Sequence, residues 1–233
     1  MSETVLLLGG MANNARLWTT VIPHLHAAAV EVPDYGLCRS IESMSDVAIA
    51  AAGSDAIAVV GFSMGGYVAQ DMLRRWPDRI ARFALIGTRA GRADDATVSI
   101  MAKTAAAAEK NFEVVLERML PGAVHPTRVA DPAVSSAVMS MFREVGATAF
   151  ANQCHAVAHR SDDRPTLASY RGPALIACGL EDQVCPPSLS QELSRLLPHA
   201  TVRWFEECGH LAPIERPEEV TGALNDWLAG AGT

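Results

Sequence analysis

Short apolar runs alternate with amphipathic helical patterns over both ends of the chain. Six runs have the length and composition of buried strands: Val5–Leu8, Ala27–Val32, Ala56–Val60, Arg82–Ile86, Ala174–Cys178 and Thr201–Phe205. Helical patterns separate or follow them: Ala15–His24, Ser45–Ala52, a helix that ends near Trp76, Ser188–Leu197 and Pro217–Leu228. Such alternation is typical of a parallel sheet with helices on both faces. We therefore predict an α/β fold, with a mostly parallel, doubly wound sheet of about six strands.

The middle of the chain interrupts this alternation with a long helical stretch. Its patterns predict helices and no strand: Ala93–Glu109, Phe112–Leu120, Pro132–Glu144 and Ala147–His159. The simplest organisation is an α/β core formed by residues 1–87 and 167–233. Residues 88–166 then form a helical cap inserted after the fourth strand. We expect this cap to act as a lid that sets the size of the substrate.

Composition and charge exclude several classes of protein. The chain of 233 residues is 49% hydrophobic and 19% charged, which is typical of a globular protein. Its net charge of −7 gives no support for a nucleic acid or an anionic membrane as partner. No apolar run approaches the length of a membrane span, and the Met1–Thr4 start lacks the basic residues of a signal peptide.

The cysteines indicate where the protein works. The chain has five cysteines, without a C-x-x-C pattern or an even framework. We interpret them as reduced thiols, which predicts a cytoplasmic protein.

A turn between the third strand and the next helix has the sequence pattern of a turn that presents a nucleophilic serine. It reads Gly61-Phe62-Ser63-Met64-Gly65. A side chain at the apex of so sharp a turn would crowd both flanks, and the two glycines remove that crowding. Ser63 then projects its hydroxyl from the carboxyl end of the sheet. The alternative is a plain glycine-rich turn, or one that binds phosphate, but no G-x-x-x-x-G-K-[ST] pattern is present.

A serine nucleophile needs a base and an acid to orient that base. His210 follows the last predicted strand in Glu207-Cys208-Gly209-His210-Leu211. Loops at the carboxyl ends of parallel strands meet at one edge, so His210 and Ser63 are expected to lie together. Either Glu181 or Asp182 could orient the imidazole. The chain order of serine, acid and histidine favours Asp182.

Further residues are predicted to stabilise the intermediate and to contact the substrate. The backbone N–H of Met64 follows the nucleophile, and the N–H of Met11 lies in a glycine-rich loop after the first strand. Both are candidates for an oxyanion hole. The candidate substrate contacts are Gly10, Trp18, Phe142 and Leu211.

Three stretches together resemble the α/β-hydrolase superfamily. They are the Gly61–Gly66 turn, the Gly179-Leu-Glu-Asp182-Gln-Val-Cys-Pro loop and the Glu-Cys-Gly-His210-Leu-x-Pro-Ile-Glu-x-Pro segment. The chain is most similar to the small-cap carboxylesterase group, which includes pimeloyl-carrier-protein methyl esterases and 3-oxoadipate enol-lactonases. The resemblance implies hydrolysis of a small or medium carboxylic ester or lactone through an acyl-serine. It also implies that no metal and no cofactor take part.

Other interpretations remain open at this point. The same triad could serve a lyase, an acyltransferase or a hydrolase of carbon–carbon bonds, and a related fold could bind a ligand without catalysis. His155 and His159 have the spacing of two metal ligands on a helix, but no third ligand is evident, and packing is the favoured role. Arginines of the insertion could dock an anionic carrier protein: Arg89, Arg92, Arg143, Arg160 and Arg164.

Overall fold

The computed structural model describes residues 3–53 and 56–230. The remaining residues of the predicted ranges 1–87 and 167–233, which are 1–2, 54–55 and 231–233, lie outside the described part. Six parallel strands form one sheet, in the order β2-β1-β3-β4-β5-β6. The strands are β1 (Glu3–Leu8), β2 (Ala29–Glu31), β3 (Ala56–Phe62), β4 (Ile80–Ile86), β5 (Ala174–Gly179) and β6 (Thr201–Phe205). The predicted α/β class and parallel sheet are confirmed.

The central strands are apolar on both faces because each face packs against helices. Successive residues of β1 enter opposite cores, with Leu7 on one side of the sheet and Leu6 on the other. In β3, Val60 and Val59 divide in the same way. A strand buried on both faces must be a continuous apolar run, which is the pattern that the sequence shows.

The helices on these faces follow the predicted alternation, with shifted boundaries. Outside the middle segment they are α1 (Ile41–Ala51), α2 (Met64–Arg75), α9 (Pro187–Leu196), α10 (Ala212–Glu215) and α11 (Pro217–Leu228). The predicted helix Ala15–His24 is wrong, since two short 3-10 helices occupy Ala15–Trp18 and Ile22–His24. Pro23 explains this, because its nitrogen has no hydrogen for a continuous helical ladder.

The middle of the chain is helical, as predicted. Six helices lie between β4 and β5: α3 (Asp95–Lys110), α4 (Phe112–Ala123), α5 (Pro126–Val129), α6 (Pro132–Val145), α7 (Ala147–Ala158) and α8 (Arg164–Ser169). No strand occurs in residues 88–166, all of which the structure describes. The assignment of this segment as a separate lid stays a prediction.

None of the helices in residues 3–53 and 56–230 is both long enough and apolar enough to cross a membrane.

Candidate active site

The turn that carries Ser63 joins β3 directly to α2. Ser63 has φ +52° and ψ −117°, a backbone conformation that side-chain-bearing residues rarely adopt. The flanking glycines allow the close approach that this turn requires. A Cβ on Gly61 would lie 2.6 Å from the Gly66 Cα, and one on Gly65 would lie 2.3 Å from the Leu8 carbonyl oxygen. The turn is therefore tight and strained, which is the geometry expected of a strand-to-helix turn that exposes a nucleophilic serine.

This crowding predicts a large cost for a methyl group at Gly65. Because the obstructing atoms belong to the β1 backbone, they cannot rotate away, and we expect Gly65→Ala to destabilise the fold by about 3 kcal/mol. The matched control is Gly222→Ala in α11, where an added Cβ meets no atom within 4 Å. That change should stabilise the helix by about 0.5–1 kcal/mol. Urea unfolding measures both, and equal stabilities would contradict the crowding argument.

Three side chains from separate loops form a continuous hydrogen-bonded chain. The His210 Nε2 lies 2.9 Å from the Ser63 Oγ, and the His210 Nδ1 lies 2.8 Å from the Asp182 Oδ2. Asp182 is 3% exposed and His210 is 7% exposed, so both are shielded from water. The structure thus brings together the three residues that the sequence analysis predicted as nucleophile, acid and base.

The geometry also distinguishes between the two candidate acids. The Asp182 Oδ1 accepts hydrogen bonds from the N–H groups of Val184 at 2.8 Å and Cys185 at 2.7 Å. These bonds leave the Oδ2 directed at His210. Glu181 turns away instead, and its Oε2 accepts a hydrogen bond from the Cys208 N–H at 3.0 Å. Glu181 therefore braces the histidine loop, and only Asp182 contacts the imidazole.

An aromatic ring packs against the imidazole of His210. Phe62 lies against His210 with ring centroids 4.9 Å apart, and the Trp18 and Phe62 rings pack edge to face with centroids 6.5 Å apart.

Two cysteines near the acid and base are buried as thiols. Burial raises the pKa of Cys185 to about 11 and also raises the pKa of Cys208. Neither cysteine is therefore a thiolate nucleophile at neutral pH.

The loop after β1 presents a backbone donor beside Ser63. Gly10 abuts the nucleophile so closely that a Cβ there would lie 3.0 Å from the Ser63 Cβ. The Ala12 N–H donates to the Gln153 Oε1 of α7 at 2.8 Å, which holds this loop in place. The Met11 N–H has no hydrogen-bond partner among the described residues. Met64 is the first residue of α2, where helix geometry offers no acceptor for its N–H.

A cavity of about 230 Å³ adjoins Ser63 and is lined in part by Met11 and Met64. Side chains of α3 and α7 cover it, so the helical insertion forms one wall of this space. A larger cavity of about 520 Å³ is lined by Gly9 and Asn13 of the loop after β1 but not by Ser63. We therefore take the smaller cavity as the candidate active site.

The predicted substrate contacts do not line this cavity. Trp18, Phe142 and Leu211 are at most 2% exposed and belong to the hydrophobic core. Trp18 reaches the site only through Phe62, and the Leu211 N–H donates to the Ala123 carbonyl at 3.0 Å, which ties the histidine loop to α4. Gly10 touches Ser63 but is likewise absent from the lining. The sequence shows that Trp18, Phe142 and Leu211 are apolar, but it does not show whether an apolar side chain packs in the core or lines the cavity.

The sequence analysis did not assign three polar cavity residues to this site, although it considered two of them, Arg89 and Arg160, as docking residues for an anionic carrier protein. Tyr67 extends from the first turn of α2, Arg89 follows β4, and Arg160 follows α7. Tyr67 lies four residues after Ser63, so helical spacing could have indicated that it faces the same side. The two arginines come from distant segments, and only the tertiary structure brings them together.

Family comparison agrees with this architecture. The profile of a protein family described as "alpha/beta hydrolase fold" matches residues 3–217. The chain belongs to this family.

Several known proteins are similar over nearly the whole chain. A protein of Aromatoleum aromaticum named pimeloyl-[acyl-carrier protein] methyl ester esterase is 28% identical, and the match covers 97% of this chain and 98% of the relative. A thermophilic esterase from Thermogutta terrifontis has a TM-score of 0.89 and 24% identity, with 100% and 92% coverage. An enol-lactonase from Burkholderia xenovorans LB400 has a TM-score of 0.83 and 21% identity, with 98% and 92% coverage. The two structural likenesses show the fold.

The histidine pair weighed as a metal site has a different arrangement. The rings of His155 and His159 stack with centroids 4.1 Å apart, and each Nδ1 lies within hydrogen-bond distance of a backbone carbonyl. Within residues 3–53 and 56–230, no group of three His, Cys, Asp or Glu side chains is placed to hold a metal ion.

Proposed function

We propose that this chain is a serine hydrolase that cleaves a small or medium carboxylic ester or lactone. The observation that carries the proposal is the hydrogen-bonded chain from Ser63 through His210 to Asp182, which opens on a cavity beside two backbone donors. Membership of the α/β-hydrolase family supports it. So do the esterase and lactonase names of the relatives.

The first half of the reaction forms an acyl-enzyme. The Ser63 Oγ attacks the carbonyl carbon while its proton passes to the His210 Nε2. The negative oxygen of the tetrahedral intermediate accepts hydrogen bonds from the Met11 and Met64 N–H groups. Asp182 stabilises the imidazolium and holds its Nδ1–H in place. Collapse of the intermediate breaks the bond to the alcohol oxygen, which takes the proton from His210.

The second half releases the acid and restores the enzyme. A water molecule attacks the acyl-serine while His210 accepts one of its protons. The same two N–H groups stabilise the second intermediate. Its collapse returns the proton to the Ser63 Oγ and frees the carboxylic acid. With a lactone, the alcohol and the acid remain in one product molecule.

We also propose a partner and a location in the cell for this enzyme. The relatives named for pimeloyl-[acyl-carrier protein] raise a carrier protein as partner, although two of the candidate docking arginines already have acidic partners. Arg143 is paired with Glu113, and Arg164 is paired with Asp162. The proposed cytoplasmic location rests on five cysteines that are all free thiols.

The proposed nucleophile can be tested by covalent labelling. We expect a fluorophosphonate to add once, at Ser63, because its hydroxyl has the His210 Nε2 as a base at 2.9 Å and lines a cavity. Intact mass and peptide mapping measure the adduct. p-Nitrophenyl esters of increasing chain length should show turnover with an optimum at short chains. An unmodified Ser63 after prolonged incubation would contradict the proposal.

The other enzyme classes give distinct outcomes in the same assay. An adduct at Ser63 without ester turnover would favour lyase chemistry or cleavage of a carbon–carbon bond. Transfer of the acyl group to an added alcohol or thiol, faster than its transfer to water, would favour an acyltransferase. Hydrolysis with a free acid as the main product supports the proposal.

A further inference from the structure

Two arginine side chains face the cavity that contains Ser63. Arg89 stands at the carboxyl end of β4, and Arg160 follows α7. Arg160 is only 5% exposed, and its guanidinium carbon lies 4.6 Å from the centre of the Tyr67 ring. Two cations therefore border a space of about 230 Å³, which is an unusual wall for a site that binds only apolar esters.

Neither guanidinium has an acidic partner. Among the described residues, no carboxylate lies within 4.0 Å of Arg89 or Arg160, although nine other arginines have such a partner. Two carboxylates act on them from beyond that distance, Asp182 on Arg89 and Asp94 on Arg160. Two other ionisable groups at the cavity carry no charge. Burial raises the pKa of Tyr67 to about 12 and that of Cys185 to about 11, so both are neutral at neutral pH. Asp182 is already committed to His210.

The hydrogen bonds of both arginines are incomplete on the cavity side. Arg160 donates from its Nε to the Gly91 carbonyl at 3.0 Å and from one Nη to the Val157 carbonyl at 2.7 Å. These bonds fix the side chain and leave its second Nη without a partner among the described residues. Arg89 donates from one Nη to the Val184 carbonyl at 3.0 Å and contacts the Cys185 Sγ at 3.9 Å, and its other Nη has no partner within that part of the chain. A guanidinium N–H group without a protein acceptor can donate to an anionic ligand.

We propose that Arg89 and Arg160 form an anion subsite, and that the substrate is an ester or lactone with a free carboxylate elsewhere in the molecule. This inference rests on the proposed function. A carboxylate supplies two acceptor oxygens and one negative charge, which match the open donors and the positive charge of two guanidinium groups without an ion pair. It would stay bound while Ser63 attacks the ester group, so the two ends of the substrate define its length.

The test compares esters that differ only in this charge. One series consists of monomethyl esters of linear dicarboxylic acids with four to eight carbons, each matched with the methyl ester in which an amide replaces the free acid. A second series places the carboxylate in the alcohol part, as in acetyl esters of short hydroxy acids, again with amide partners. We expect one series to show an optimum at which the carboxylate raises kcat/KM about 10- to 100-fold over the amide.

Variants connect that preference to the arginines. Arg89→Gln should reduce the carboxylate-to-amide ratio of kcat/KM about 10-fold or more, mainly through KM, and Arg89→Lys should restore part of it. Using the ratio separates recognition from any loss of folded enzyme, which lowers both rates equally. Arg164→Gln is the matched control, because this exposed arginine of the same insertion pairs with Asp162 and lies outside the cavity. Its ratio should equal that of the wild type.

A binding experiment keeps the inference testable if hydrolysis fails. Calorimetry with Ser63→Ala measures the affinity for the monomethyl esters, and Arg89→Gln in that background should weaken it about 10-fold or more. Turnover of neutral esters at least as fast as their carboxylate partners would overturn the subsite and leave the proposed hydrolase intact. Arginine-dependent binding without any turnover would support the subsite and refute the hydrolase.

Discussion

We expect Ser63→Ala to lower kcat for ester hydrolysis by about 10⁴- to 10⁶-fold. The reason is that no other nucleophile adjoins the His210 Nε2, whose hydrogen-bond partner is the Ser63 Oγ at 2.9 Å. Residual activity reflects the remaining oxyanion donors and binding. Steady-state assays with the best p-nitrophenyl ester measure the loss, and circular dichroism shows that the fold persists.

The control variant is Ser63→Gly, which tests the backbone strain at this position. Because Ser63 has φ +52°, alanine retains the strained backbone, whereas glycine relieves it. We expect Ser63→Gly to be as inactive as Ser63→Ala but more stable by about 1–3 kcal/mol. Thermal unfolding compares the two. Equal stability would mean that the turn does not store strain, and wild-type turnover in either variant would refute the role of Ser63.

We expect Asp182→Asn to lower kcat by about 10³- to 10⁴-fold. The change is nearly isosteric, and the new amide oxygen can keep the hydrogen bonds from Val184 and Cys185. Its NH₂ group then faces the His210 Nδ1, which favours the imidazole tautomer that carries its proton on Nε2. In that tautomer the histidine cannot accept the proton of Ser63.

Glu181→Gln is the matched control for the acid. Glu181 neighbours Asp182 in sequence and also loses a negative charge in this change, but it contacts the Cys208 N–H and not the imidazole. A glutamine oxygen can still accept that bond, at about half the strength of the carboxylate. Because the bond does not involve the imidazole, we expect kcat within about 3-fold of the wild type. If Glu181→Gln were the more damaging change, the assignment of the acid would be wrong.

Sequence patterns predicted strands well where both faces of the strand are buried. β1 and β3 lie in the middle of the sheet with helices on both faces, and both appear in the sequence as continuous apolar runs. β2 at the sheet edge is only Ala29–Glu31, shorter than the predicted Ala27–Val32. An edge strand has fewer partners to extend its ladder, and its apolar residues can serve other contacts instead.

Helix starts were predicted less well than helix interiors. The first predicted helix after β2 began at Ser45, whereas α1 begins at Ile41 with a capping box between Ser40 and Ser43. Conversely, Ser188 and Gln191 have capping-box spacing, yet α9 begins at Pro187 without a side-chain cap. The same serine spacing is compatible with several starts, and the tertiary contacts of the preceding loop select one of them.

The sequence by itself determined the order of strands and helices, the parallel sheet and the residues that would meet at its carboxyl edge. It did so because strand ends in a parallel sheet converge on one edge, so chain order alone brings Ser63, Asp182 and His210 near each other. Only the tertiary structure decided which carboxylate faces the imidazole and which side chains border the cavity. Glu181 and Asp182 are adjacent in sequence, but their side chains point in different directions and have different partners. Arg89 and Arg160 come together through the packing of the insertion, which no local pattern encodes.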